Sequence, residues 1–220
     1  MKPPFAHVET WLFDMDNTLY HPRANLFAQI DVRMEAYVAE LLGLDRAAAR
    51  VVQKRYFHEH GTTLRGLMND HGVAPADFLA KVHDLDFSVL SPDPRVVAGL
   101  ARLPGRKYVF TNGDADYAAR VLGALGIGAA FDGVFDIHAM EYRPKPDPLA
   151  YEKLVAALDF DPAKAFFAED MAHNLKPAKA LGMATLWVNN GSERGGHGAH
   201  PDFIDQETHD FAEWLEAITA

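Results

Sequence analysis

The sequence contains no cysteine. That removes disulfide scaffolds, thiolate metal sites and a cysteine nucleophile from consideration, and it fits a reducing compartment. Positive charge is also short: 21 Lys and Arg against 31 Asp and Glu give a formal net charge of −10. A protein that grips a nucleic-acid polymer by neutralising its phosphates needs the opposite sign. A single small nucleotide stays open, because one local cation is enough for it. Nowhere does the chain approach the roughly 18 consecutive apolar residues of a membrane span. The opening MKPPFAHVET lacks the apolar stretch of a secretory signal. The expectation is a cytoplasmic protein with no membrane partner. Internal repeats are absent as well.

What is present is a chain of 220 residues, 49% of them apolar, long enough to bury a core without covalent staples. Short apolar runs at 8–13, 107–110, 133–137, 165–168 and 184–188 read as strands buried on both faces. Helical patterns fall between them at 95–103, 117–125, 148–158 and 174–181, and Gly182 stops the last. This alternation predicts βαβ units in a doubly wound, mostly parallel α/β sheet. Residues 21–94 break the alternation and read as helix throughout. Leu26, Phe27, Ile30, Met34, Tyr37, Val38, Leu41 and Leu42 recur at helical spacing, Gly43 stops that helix, and a second runs from Arg46 to Gly61. The expected organisation is a core of residues 1–20 and 95–220 with an all-helical cap, 21–94, inserted after the first strand. The glycine-rich stretch 189–201 reads as a surface loop, and 207–218 as a final helix.

Four polar clusters follow the ends of expected strands, where a parallel sheet presents its ligand site. Asp14 and Asp16, with Thr18 behind them, place two carboxylates close enough to need a neutralising cation. Thr111-Asn112-Gly113 offers a hydroxyl and free backbone N–H groups to an anion. Lys145 is fixed between Pro144 and Pro146. Glu169-Asp170 is an oxygen-rich pair suited to Mg²⁺. Each has an ordinary explanation alone: a helix cap, a turn or a solvated lysine. One chemistry uses all four, phosphoryl transfer to an aspartate.

These motifs, in this order, resemble the haloacid dehalogenase-like phosphohydrolases over nearly the full chain. The signature Asp-x-Asp-x-Thr is matched by Asp14, Asp16 and Thr18, the strand-terminal hydroxyl by Thr111, the lysine by Lys145, and the acidic pair by Glu169-Asp170. Glu169 stands where many relatives have Asp, and Met171 where many have Ser. The resemblance implies a Rossmann-like core and a Mg²⁺-dependent phosphomonoesterase. Asp14 is the expected nucleophile and Asp16 the acid and base. Lys145, Thr111 and Asn112 are expected on the phosphate. The metal is expected on Asp14, Asp170 and the backbone carbonyl of Asp16, with Glu169 acting through a water. The runs 13–20, 56–67 and 110–114 are similar to the pyrimidine 5′-nucleotidase branch, which implies nucleoside 5′-monophosphates as substrate. Tyr56, His58, Thr62, Thr63 and Arg65 are then candidate contacts to the base, although Thr62 and Thr63 equally suit a helix cap.

The alternatives are a phosphatase or phosphomutase for another small phosphorylated metabolite (a sugar phosphate or phosphoglycolate), a dehalogenase, and a receiver-like phosphoaspartate signalling domain. Asp16 and the inserted helices speak against the last. The histidines do not read as zinc ligands. His58 and His60 are two apart on a helix and face different ways, His197 and His200 lie in the loop, and His173 reads as a turn residue. Trp187 and Trp214 read as core.

Overall fold

The computed structural model describes residues 5–220. Residues 1–4 of the segment expected to open the core lie outside the described residues. Six strands, β1 (Thr10–Phe13), β2 (Arg106–Phe110), β3 (Gly133–Phe135), β4 (Ala165–Glu169), β5 (Ala184–Val188) and β6 (Gln206–Thr208), form one sheet. Its order is β3-β2-β1-β4-β5-β6, and every neighbouring pair is parallel. The strand order reverses between β1 and β4. Chain leaving the carboxyl ends of these two central strands diverges and leaves a crevice there.

Burial explains why the strands read as unbroken apolar runs. Trp11, Phe13, Phe166 and Ala168 face a core layer with α5 (Pro94–Arg102), α6 (Ala115–Ala124) and α9 (Phe211–Thr219). Leu12, Phe110 and Phe167 face the opposite layer with α7 (Pro148–Leu158) and α8 (Leu175–Ala180). Alternate residues therefore serve both faces, and neither can be polar. Asp-Pro pairs start two of the helices: Asp93 accepts from Arg95 N at 2.8 Å and Asp147 from Leu149 N at 3.0 Å. Each proline occupies a first-turn position that needs no N–H donor.

Between β1 and α5 stand four helices, α1 (Leu26–Leu42), α2 (Arg46–His60), α3 (Thr63–His71) and α4 (Pro75–Val82). Gly43 and Gly61 end α1 and α2 in the left-handed conformation, at φ 62° and 81°. No helix of the described residues is long and apolar enough to cross a membrane.

Three details differ from the expectations. Residues 206–208 pair with β5 as an edge strand, and the last helix starts at Phe211 with Asp210 as its cap. Helical periodicity carries no signal for an open sheet edge that recruits the chain. The apolar stripe of α1 is narrower than its spacing suggests: Phe27 is 38% and Leu41 42% exposed, because only part of the stripe meets neighbouring helices. Within the loop 189–201, Gly195 is buried, and its carbonyl accepts from Ala172 N at 2.8 Å.

The α2–α3 corner depends on Gly66. A Cβ there would lie 2.4 Å from Cγ of Tyr56, itself buried. Gly66→Ala is expected to lower stability by about 1–3 kcal/mol through overpacking. Gly123→Ala, in a helical position with nothing within 4 Å of the added carbon, is expected to raise it by about 0.4–1 kcal/mol. Urea midpoints at constant m-value check both.

Candidate active site

The site is assembled at the carboxyl edge of the two central strands. Asp14 follows β1 and is 7% exposed; its N–H donates to Ala168 O at 2.9 Å. Lys145 is 2% exposed. Its ammonium donates to Asp14 Oδ1 (2.7 Å), Glu169 Oε2 (2.7 Å) and Phe110 O (2.8 Å). All three of its protons are used, on the ends of three adjacent strands. Thr18 donates its hydroxyl to Asp14 Oδ2 at 2.9 Å and accepts from Asp170 N at 3.1 Å. The second oxygen of Glu169 accepts from Met171 N at 3.1 Å, a backbone bond that needs no hydroxyl at position 171.

The Asn112 side chain clasps the Lys145 backbone. Its Oδ1 accepts from Lys145 N at 2.8 Å, and its Nδ2 donates to Lys145 O at 3.3 Å. Thr111 Oγ1 accepts from Gly113 N at 3.0 Å, which leaves its own proton free for an anion. Asp16 is partly exposed. Its Oδ1 accepts from the hydroxyls of Tyr20 (2.6 Å) and Tyr117 (2.5 Å).

Asp14, Asp16, Thr111, Asn112, Lys145, Glu169 and Asp170 all line one cavity of about 470 Å³, closed on the other side by residues of α1–α4. Of the expected contacts from those helices, His58, Thr62 and Thr63 line it; Tyr56 and Arg65 are absent from its wall. Tyr56 is 2% exposed, packed over Gly66 with its hydroxyl 2.8 Å from His71 Nε2. Arg65 points into a separate groove beside Arg143 and Asp147, and donates to Tyr142 O at 3.4 Å. Thr62 caps α3 by accepting from Arg65 N at 3.2 Å, and Thr63 donates to Gln53 O at 3.3 Å. Most of the glycine-threonine run is thus corner architecture, with the cavity wall as its second role. Gln53, Phe27, His83 and Arg194 also line the cavity. They carry no motif, and proximity in the fold alone reveals them. His58 meets the Arg194 guanidinium across the cavity rim. His173 lies in a short helical turn after the acidic pair.

The family model for haloacid dehalogenase-like hydrolases matches residues 8–182, which takes in every acid of the cluster, Thr111 and Lys145. The chain belongs to the haloacid dehalogenase-like hydrolases. Among relatives, Phosphate metabolism protein 8 of Saccharomyces cerevisiae is 28% identical over 80% of this chain and 60% of its own length; the chain therefore spans about three-fifths of that protein. Phosphoglycolate phosphatase of Neisseria gonorrhoeae is 26% identical over 87% of this chain and 84% of its own length. The crystal structure of a haloacid dehalogenase-like phosphatase from Thermococcus onnurineus superposes with a TM-score of 0.64 at 18% identity, covering 96% of this chain and 98% of that one; it shares the fold.

Electrostatics set this haloacid dehalogenase-like site apart from the rest of the molecule. Asp14, Glu169 and Asp170 offer carboxylate oxygens all within 4.8 Å of one another, against one lysine. Burial, then the charge of Glu169, pushes the Asp14 carboxyl up to about 7 in spite of Lys145. Burial and the charges of Glu169 and Asp14 push Asp170 well above the carboxylate range. Burial pulls Lys145 down, but Asp14 and Glu169 overcome it and push it up to about 12. A set of hard oxygens that resists sharing negative charge fits a small divalent cation such as Mg²⁺.

A carboxyl whose folded pKa lies above its unfolded value loses stabilisation as pH rises through the folded value. For Asp14 that window runs from 3.8 to about 7. A cation that takes the proton's place therefore stabilises the fold more at high pH than at low. The melting-temperature gain from added Mg²⁺ is expected to be larger at pH 7.5 than at pH 5, and Asp170→Asn should remove most of it. Thermal melts with Mg²⁺ and with EDTA read the difference directly.

Proposed function

We propose that the chain is a Mg²⁺-dependent phosphomonoesterase working through an aspartyl phosphate, with pyrimidine nucleoside 5′-monophosphates as substrates. The carrying observation is a pair of carboxyls two residues apart in opposite environments. Asp14 is gripped by Lys145 and Thr18, whereas Asp16 meets only neutral hydroxyl donors. The first is held as a nucleophile. Burial raises both carboxyls, Asp14 in spite of Lys145 and Asp16 against its tyrosine hydrogen bonds; a cation on the Asp14 carboxylate would displace the proton there and leave Asp16 as the carboxyl that carries one.

In this reading residues 21–94 act as a cap over a core of 1–20 and 95–220. A carboxylate oxygen of Asp14 attacks phosphorus in line, and the bond to the leaving oxygen breaks as Asp16 protonates that oxygen. Asp16 then takes a proton from water, which attacks the phosphoaspartate and releases phosphate. The free hydroxyl of Thr111 and the N–H of Asn112 hold phosphate oxygens, and Lys145 balances charge throughout. Asp14, Asp170 and the Asp16 carbonyl would hold Mg²⁺, with Glu169 reaching it through a water, and the bound ion would supply charge neutralisation for the transferred group.

The cavity wall supports a leaving group with both an apolar face and polar edges. Phe27 and Phe57 offer surface for a flat ring, and His58 and Thr62 offer polar groups to its edge, while Phe78, Gln53 and Thr63 are buried behind them. Such a wall discriminates between leaving groups, which phosphate contacts alone cannot. The Neisseria relative keeps phosphoglycolate as the second reading.

The test is phosphate release from UMP, CMP, AMP, ribose 5-phosphate and phosphoglycolate with Mg²⁺. UMP and CMP are expected to lead in kcat/KM. Asp14→Asn is expected to abolish turnover, and Asp16→Asn to slow it by about 10²- to 10⁴-fold. His58→Ala should narrow the gap between UMP and ribose 5-phosphate, whereas Thr63→Val, at a buried hydroxyl bonded to Gln53 O, should leave it unchanged. Equal kcat/KM across the panel would remove the pyrimidine assignment and leave the phosphatase chemistry standing.

A further inference from the structure

Asp16 is anchored through one oxygen only. The hydroxyls of Tyr20 and Tyr117 both end on Oδ1, and neither reaches Oδ2. Tyr20 is 8% exposed and Tyr117 fully buried, so the two donors are held in place by packing. The terminal torsion of an aspartate is soft and close to two-fold; without such partners its two oxygens are interchangeable. Two O–H donors occupy the lone pairs of Oδ1 and fix the plane of the carboxyl. Oδ2 is the oxygen left for chemistry.

Tyr117 is itself held from two sides. Its backbone N–H donates to Asp114 Oδ1 at 2.8 Å in the first turn of α6. The imidazole of His83 lies on its ring, with centroids 4.1 Å apart and planes 11° from parallel. Nδ1 of His83 is 2.6 Å from Asp114 Oδ2, so one carboxylate ties both stacked rings. His83 is 5% exposed and closes the C-terminus of α4; it therefore belongs to the helical insertion, while Asp114 and Tyr117 belong to the sheet's own helix. His83 also lines the cavity shared by Asp14 and Asp16. The insertion thus touches the very ring whose hydroxyl orients Asp16.

We propose that Tyr117 is a positioning residue for Asp16: with Tyr20 it reserves Oδ2 for the leaving-group oxygen, and His83 makes that orientation depend on α4 being seated against α6. This rests on the phosphatase reading above. As the bond from phosphorus to the leaving oxygen breaks, its electron pair stays on that oxygen and the proton on Oδ2 passes to it. In the second half Oδ2 takes a proton from the attacking water. An Asp16 free to rotate would present the correct oxygen only part of the time. Seating the insertion would then complete the site by packing, with no new charge brought in.

The experiment compares two leaving groups on Tyr117→Phe, Tyr20→Phe, the double variant and His83→Ala. UMP departs as a basic alkoxide that needs a proton, and p-nitrophenyl phosphate departs as a weakly basic phenolate that does not. Phenylalanine keeps the ring packed on His83, so Tyr117→Phe should melt close to wild type. It is expected to lower kcat for UMP by about ten- to a hundred-fold, a fraction of what a general acid contributes. KM should hold, and p-nitrophenyl phosphate should change by less than about three-fold. The double variant should widen the gap, and His83→Ala should reproduce it in weaker form. A merely structural role would lower both substrates together. Equal loss on both substrates, or no loss on either, in Tyr117→Phe and in the double variant would overturn the proposal while leaving the phosphatase reading intact. A wild type that hydrolyses neither compound would overturn both.

Discussion

One buried ammonium holds the centre of this molecule. Lys145 spends its three protons on Asp14, Glu169 and the last carbonyl of β2, at the point where the strand order reverses. Removing one partner of such a buried pair costs about 3–5 kcal/mol, because the other charge is left without compensation. The lysine cannot drift, since Asn112 holds its backbone at both the N–H and the carbonyl. The chain from β2 and the chain before α7 are thereby locked together by one amide. Site and fold share the same contacts here, and neither can be altered alone.

The lysine does not balance the charge it sits in. Two carboxyls meet it at 2.7 Å, a third, Asp170, offers an oxygen within 4.8 Å of theirs, and burial raises the cost of the excess. A fold built for stability alone would have avoided this. In the proposed reading the imbalance is affinity held ready for a cation. Asp16 shows the same economy by different means. Two residues from Asp14, it meets tyrosine hydroxyls in place of an ammonium, so identical side chains face different partners across one cavity.

How far the sequence reveals all this depends on the range of each interaction. Strands β1, β4 and β5 are legible because both of their faces are buried, which leaves an unmistakable apolar run. The acids, Thr111 and Lys145 are legible because chain topology sends each strand end to one edge. Strand β6 is hidden, since Gln206–Thr208 pair only because β5 leaves an open neighbour. Tyr56 and Arg65 mislead for a related reason: the motif around them encodes the packing of α2 on α3, and packing turns both away from the cavity. Tyr117 leaves no trace at all, because it lies 101 residues from the carboxyl it serves. Local pattern reports an element's own faces, and it is silent on which distant face comes to meet them.

The two outer strands, Gly133–Phe135 and Gln206–Thr208, have three residues each. An exposed sheet margin is a template on which another chain can build, and its danger grows with its length. Margins this short leave almost no unpaired backbone ladder for a stray strand to add to. The broad apolar strands that make the sheet legible are confined to its interior, so the segments most prone to cross-chain pairing are the ones that folding hides. Resistance to filament formation is thus written into the same strand order that opens the central crevice.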